Sequence, residues 1–211
     1  MSGGLRRKAM EGAVTLAVGQ AAAQGMGLAR NIIVARLIGP AEFGIAATIG
    51  LTASLIELLS DLALDRMLVQ APDGDEPHLQ ATAHSLQVIR GLVGGLLLLV
   101  LAAPIAMLFE TPQAAPAYRA LALLPVVRGF AHLDFARRQR EFWFGGLVAL
   151  DLCSQGAALA LAWPVSRALG DHGAALWLIV TQGAVFATIS HLVADRPYQI
   201  GWERSVVSRF A

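Results

Sequence analysis

Three arginines stand within or at the edges of long apolar stretches of this sequence: Arg30, Arg90 and Arg128. If those stretches cross a membrane, each charge costs at least about 2.5 kcal/mol in hydrocarbon, so the side chains should face a cavity, a partner group or the bundle interior. A guanidinium group stays charged and binds phosphate oxygens through two parallel hydrogen bonds. The three arginines are therefore predicted to bind an anionic, phosphate-bearing ligand. The alternatives are that Arg90 extends to the membrane surface and that Arg30 pairs with an acidic neighbour.

Polar residues also recur at helical spacing within the first apolar stretch. Gln20, Gln24, Gly27 and Asn31 follow one another at steps of four, three and four, which places them on one face of a helix. Such a stripe can line a wet cavity and hydrogen-bond sugar hydroxyl groups, so Gln20, Gln24 and Asn31 are candidate substrate-binding residues. The alternative is that these amides and the glycine pack the helix against a neighbour.

Two carboxylates, Glu57 and Asp61, lie one helical turn apart in the second apolar stretch. Like charges this close raise one another's pKa. The pair is a candidate ion-coupling site that holds a proton or a sodium ion. The alternative is that Asp61 lies with Asp65 at the membrane surface, near Arg66.

Motifs for enzymatic chemistry are missing from the sequence. Cys153 is the only cysteine, so an internal disulfide and a cysteine-rich metal site are excluded. There is no phosphate-binding GxxxxGK[ST] loop, no GxSxG elbow and no HExxH pair. We therefore expect no cofactor, no metal and no enzymatic activity. A formal net charge of +1 also argues against a nucleic-acid partner.

The elements that must position these residues are membrane helices. Hydrophobic residues make up 56% of the 211 residues and charged residues only 15%, against about 25% charged in ordinary soluble domains. A bilayer core requires about 20 apolar residues per helix, and six stretches approach that length. They are residues 9–38, 43–64, 82–109, 118–135, 144–165 and 173–194. The sequence thus predicts an all-α polytopic membrane protein with about six transmembrane helices.

The distribution of basic residues predicts the orientation, because positive charge is retained on the cytoplasmic side. An N-terminus in the cytoplasm places ten basic residues inside and three outside. The inner ones are Arg6, Arg7, Lys8, Arg66, Arg137, Arg138, Arg140, Arg196, Arg204 and Arg209, and the outer ones are Arg36, Arg119 and Arg167. This bias favours an even number of crossings.

The connector "ARLIGPAEFG", residues 35–44, is predicted to be a tight hairpin between the first two helices. Gly39 can adopt the left-handed conformation that ends one helix, and Pro40 suits the first turn of the next. Glu42 favours the positive end of the second helix dipole. Arg36 and Glu42 are expected to anchor the hairpin at the lipid headgroups.

Three stretches resemble bacterial oligosaccharide flippases, the polysaccharide biosynthesis proteins of the multidrug/oligosaccharidyl-lipid/polysaccharide superfamily. Residues 35–70, "ARLIGPAEFGIAATIGLTASLIELLSDLALDRMLVQ", are similar to the family's N-terminal signature. The run "FARRQREFWF" resembles the basic loop before the fifth helix, and "RPYQIGWERSVVSRFA" resembles the linker before the seventh.

The resemblance implies a two-lobed transporter that moves undecaprenyl-diphosphate-linked sugars across the bacterial inner membrane for surface polysaccharide or lipopolysaccharide biosynthesis. This chain resembles the N-terminal lobe alone. Residues 1–195 would form the six-helix transmembrane lobe, and residues 196–211 a cytoplasmic linker toward a second lobe. The implied partners are the lipid bilayer, the lipid-linked oligosaccharide and a second lobe or partner chain.

Two other functions remain open from the sequence. A cation-coupled exporter of drugs or small molecules, from the same superfamily, would have an acidic cavity, whereas Arg30 and Arg128 favour the anionic lipid. A membrane assembly subunit that transports nothing, or a truncated remnant, would also explain a single lobe.

Overall fold

The computed structural model describes residues 3–60 and 64–207, and every regular element in these residues is helical. Apolar runs of helical length, interrupted by Gly, Pro and short polar connectors, produce this all-α fold. The helices are α1 (Gly3–Ile38), α2 (Pro40–Ser60), α3 (Leu64–Gln70), α4 (Pro77–Leu108), α5 (Ala115–Leu121), α6 (Leu123–Gly129), α7 (Asp134–Gln139), α8 (Gly145–Leu169), α9 (Gly173–Leu192) and α10 (Arg204–Val207). One 3₁₀ turn, Pro112–Ala114, precedes α5.

Within the described residues, four helices are long and apolar enough to cross a membrane, against the six stretches read from the sequence. They are Pro40–Leu58, Pro77–Leu108, Gly145–Leu169 and Gly173–Leu192. The first stretch does form one helix, α1, which is 36 residues long. It falls outside this group because polar side chains interrupt its apolar character. The fold is that of a polytopic, all-α membrane protein with a lower span count than expected.

The fourth stretch, residues 118–135, is not the continuous helix that the sequence predicted. It divides into α5 and α6, which meet at a turn at Ala122, and α6 ends at Gly129. Pro125 has no N–H to bond the carbonyl of Leu121, so the helical ladder is interrupted there. Together the two helices are too short to cross about 30 Å of hydrocarbon.

The hairpin between the first two helices is confirmed. Helix α1 ends at Ile38, α2 begins at Pro40, and Gly39 between them has φ +82°. Glu42, expected at the headgroups, instead contacts the start of α9: its carboxylate lies 2.6 Å from Nδ1 of His172 and accepts the backbone N–H of the same residue at 3.0 Å. The two hairpin tips at this end are therefore joined.

Close helix packing depends on glycines. Helix α1 packs along α8, which in turn packs along α9. On α4, Gly91 and Gly95 are spaced one turn apart and both pack against α6 or the residue that precedes it. A Cβ at Gly91 would lie 2.5 Å from the carbonyl oxygen of Pro125, so only glycine permits this approach.

The arginines of the basic loop around α7 bind other parts of the same chain. Arg137 Nε donates to the buried carboxylate of Asp134 at 2.6 Å. Arg140 donates through Nη1 to the carbonyls of Leu68 and Val69, both at 3.0 Å, and so caps the C-terminal end of α3. We refer to this side of the bundle as the Asp134 end and to the opposite side as the Gly39 end.

Candidate functional site

A polar cleft lies among the helices between these two ends. Its main cavity has a volume of about 540 Å³ and is lined by residues of α1, α2, α6, α8 and α9. The polar and charged lining residues are Gln24, Arg30, Asn31, Ser54, Glu57, Arg128, Gln155 and Gln182. The stripe predicted on α1 therefore faces the same space as the carboxylate of α2 and the arginine of α6.

Two neighbouring cavities continue this space, and the three together are called the central cleft below. One, of about 220 Å³, shares Glu57 and Arg128 with the main cavity and adds Arg90 and Asp151. The other, of about 550 Å³, shares Gln24 and Gln155 with the main cavity and adds Gln20 and Asp151. All seven candidate residues within the described part of the chain line the cleft. The eighth, Asp61, lies outside the described residues.

Arg30 is surrounded by amides. Its Nη1 donates to Oε1 of Gln182 on α9 at 2.7 Å, and its Nε and Nη2 both lie 3.3 Å from Oδ1 of Asn31. Among the described residues its hydrogen-bond partners are amide oxygens and none is a carboxylate. Its positive charge is therefore left available to an anionic ligand.

Arg128 has one ionic partner and one aromatic partner. Its Nη2 lies 3.2 Å from Oε1 of Glu57, and its guanidinium carbon lies 4.6 Å from the ring centre of Phe186. Its Nε is buried and has no acceptor within the described residues. Glu57 thus neutralises one side of Arg128 and leaves another N–H unbonded.

The α1 stripe is exposed to the cleft. The side chains of Gln20, Gln24 and Asn31 are exposed, and neither Gln20 nor Gln24 makes a side-chain hydrogen bond to any other described residue. Gly27 alone fits the packing alternative, because a Cβ there would lie 3.7 Å from the side chain of Gln155. The two glutamines are therefore available to a ligand.

Several polar lining residues were not among the sequence candidates, including Asp151, Gln155 and Gln182. Asp151 and Gln155 lie one turn apart on α8, and Gln182 lies in α9. Their position as polar residues within apolar stretches could have identified them as candidates. Gln155 Oε1 is buried and has no hydrogen-bond partner within the described residues.

The comparisons with known proteins give one match. The family described as "Polysaccharide biosynthesis protein" matches residues 33–210, which is most of the chain. The matched range includes the cleft residues of α2, α4, α6, α8 and α9, whereas Gln20, Gln24, Arg30 and Asn31 of α1 precede it. No curated protein and no solved structure gives a significant match.

Proposed function

This chain belongs to the polysaccharide biosynthesis protein family, and from that premise we propose that it translocates a lipid-linked oligosaccharide across the bacterial inner membrane. The carrier would be undecaprenyl diphosphate, and the product a surface polysaccharide or lipopolysaccharide. A second lobe or a partner chain would complete the transport pathway, and no bond of the substrate would be made or broken.

The observation that carries this proposal is that Arg30 and Arg128 line one cavity among the helices. They stand on different helices, α1 and α6, and line the same 540 Å³ space. Pockets of roughly 300–1,000 Å³ hold small ligands, and a diphosphate offers oxygens to two guanidinium groups at once. Arg90 adds a third positive charge beside Arg128.

The amide side chains of the cleft would bind the glycan part of the substrate. Gln20, Gln24 and Gln155 offer both donors and acceptors, which suits neutral sugar hydroxyl groups. A diphosphate bound between Arg30 and Arg128 would place the first sugars along this row. Alternation of the cleft between the two membrane faces would then carry the headgroup across.

Ion coupling belongs to the same proposal. An anionic ligand at Arg128 competes with Glu57, which lies 3.2 Å from its Nη2. Displaced from its counter-ion within the membrane, Glu57 would take up a proton or a sodium ion. Ligand binding and ion binding would in this way be linked through one arginine, with Asp61 as the candidate second carboxylate.

A cation exporter fits the cleft less well. A cationic substrate would need a site with unpaired carboxylates, whereas Glu57 lies 3.2 Å from Arg128 and Arg30 is bonded to amides in the described cleft. A cation would therefore approach a guanidinium group that no described carboxylate neutralises.

The test is binding of fluorescent undecaprenyl diphosphate to the full chain in lipid nanodiscs. Arg30→Ala and Arg128→Ala should each weaken binding about ten- to hundredfold, since a hydrogen bond to a charged group contributes about 1.5–3 kcal/mol. Arg36→Ala, an exposed arginine outside the cleft, is the matched control and should bind as the wild type does. Equal affinity of all three variants would contradict the proposal and favour a non-transporting assembly subunit.

A further inference from the structure

A segment that follows α9 crosses the Asp134 end of the bundle. Residues 195–207, called the strap, run along the first turns of α4. Gly201 donates its N–H to the carbonyl of Ala81 at 3.2 Å, and Ser85 Oγ donates to the carbonyl of Gly201 at 2.6 Å. Val206 in α10 is 1% exposed and belongs to the apolar cluster of this end. The strap is thus bound by polar and apolar contacts.

His84 joins the strap to the connection between α6 and α7. The ring is buried on α4. Its Nε2 accepts the backbone N–H of Leu133 at 3.1 Å, and its Nδ1 lies 3.0 Å from the carbonyl oxygen of Gln199 in the strap. Because a carbonyl only accepts, the proton of this imidazole must be on Nδ1.

His132 makes the same bridge with the opposite tautomer. Its Nδ1 accepts the backbone N–H of Asp134 at 3.1 Å, and its Nε2 lies 3.0 Å from the carbonyl oxygen of Arg196 in the strap. The proton of this imidazole must be on Nε2. His132 is 1% exposed, and its ring centre lies 4.8 Å from that of His84.

Both bridges require neutral imidazoles. A protonated histidine carries N–H groups on both nitrogens, so one of them would meet a backbone N–H that can only donate. Two imidazolium rings at this separation would also repel each other. Each protonation therefore removes the bond from the backbone N–H of Leu133 or Asp134. The charged ring also favours contact with water, which it gains only when the strap that covers it is released.

We propose that His84 and His132 form a proton-sensitive latch, which holds the strap on the bundle when both rings are neutral and releases it when they are protonated. This inference is independent of the substrate proposed above, because it concerns the Asp134 end and none of the charged or amide residues proposed to bind substrate in the central cleft.

The charged and titratable groups around the two rings are few. Asp134 from α7, His191 from α9 and Tyr198 from the strap face them, and Arg137 binds the Asp134 carboxylate. Burial lowers the pKa of His132, and the carboxylate of Asp134 opposes that effect. His191 would repel a protonated His132, since their ring centres lie 5.4 Å apart.

The experiment is hydrogen exchange of the strap amides, measured on the full chain in nanodiscs and corrected for the intrinsic pH dependence of exchange. Between about pH 7.5 and pH 5.0 the protection of residues 195–207 should fall about tenfold or more, because a ring released to water regains the ordinary histidine pKa of about 6.5 and takes up a proton in this range. Unchanged protection would overturn the proposal.

A matched double variant isolates the histidines. In His84→Gln with His132→Asn, amide oxygens can accept the N–H groups of Leu133 and Asp134 but take up no proton. Its strap should show the same protection at both pH values, while His172→Gln, at the Gly39 end, should respond as the wild type does. A double variant with the full wild-type pH response would refute the latch.

A second measurement needs no substitution. Nitrogen-15 NMR of histidine-labelled wild-type chain should show one buried neutral ring protonated at Nδ1 and one at Nε2 at about pH 7.5. Signals of a protonated imidazole for both buried rings at that pH, with the strap still protected, would contradict the proposal.

Discussion

Arg128 combines an ion pair, an aromatic contact and an unbonded N–H within the cleft. It contacts Glu57 at 3.2 Å and the Phe186 ring at 4.6 Å, and its buried Nε has no acceptor in the described part of the chain. A charged group whose buried N–H has no acceptor is a functional-site candidate on physical grounds. Two substitutions separate its charge from its geometry.

Glu57→Gln should strengthen the binding of undecaprenyl diphosphate. The amide no longer competes as an anion for Arg128, and partly exposed ion pairs contribute about 0–1 kcal/mol, so a gain of up to about fivefold is expected. Binding titration in nanodiscs measures it, with Glu42→Gln at the Gly39 end as the control. Weaker binding by the Glu57 variant alone would show that this carboxylate supports the site rather than competing within it.

Arg128→Lys should bind the same lipid more weakly than the wild type but more tightly than Arg128→Ala. Lysine keeps the positive charge but loses the planar pair of N–H donors and the stacking on Phe186. The three affinities are compared in one titration series. A lysine variant as weak as the alanine variant would mean that geometry, not charge, decides binding.

At the scale of the helices, the sequence predicted correctly those features that depend on neighbouring residues in the chain. The hairpin at Gly39 follows from one Gly-Pro pair, and the glutamine stripe follows from the spacing on α1 alone. The break between α5 and α6 was missed although Pro125 is visible, because membrane helices often tolerate proline. The partner of Arg30 could not be predicted, since Gln182 is 152 residues away in sequence.

Gly91→Ala tests the contact between α4 and α6. Its Cβ would lie 2.5 Å from a backbone oxygen of α6, so the helices must separate, at a cost of about 1–3 kcal/mol. Thermal unfolding in detergent should show a lower midpoint. Gly94→Ala is the matched control, because its Cβ would lie 3.4 Å from the Pro125 side chain. Equal midpoints would mean that α6 moves away without loss.

At the scale of the whole molecule, a polar network fastens the Asp134 end. Asp134 accepts hydrogen bonds from Arg137 and from the N–H of Asp195, and Arg196 lies 3.0 Å from Asp75. These contacts join α7, the strap and the α3–α4 connection. None of them was predicted, because the partners are scattered along the chain and polar contacts of this kind leave no periodic signal.

The network makes stability depend on pH. Burial raises the pKa of Asp134, but the hydrogen bonds from Arg137, Asp195 and Gln80 outweigh it and hold the pKa below its usual value. A carboxyl group with a lowered folded pKa stabilises the fold above its unfolded pKa of about 4, and this contribution is lost as the pH falls through the folded pKa.

Asp134→Asn should therefore lower the unfolding midpoint at neutral pH and lose less stability than the wild type does on acidification below about pH 4. Thermal unfolding across a pH series measures both effects. The exposed Asp171, in the α8–α9 connection at the Gly39 end, provides the control as Asp171→Asn. Parallel pH profiles of Asp134→Asn and the wild type would show that another group is responsible.

Because α1 is long, a small change in its tilt would move its N-terminal tip a large distance. Thirty-six residues at 1.5 Å each extend about 54 Å, well beyond a hydrocarbon layer of about 30 Å. With Gly39 as a pivot, a change in tilt of about 10° would swing the far tip, which carries Arg6, Arg7 and Lys8, by about 9 Å. A small adjustment at the Gly39 end would thereby produce a large displacement at the N-terminal tip of α1.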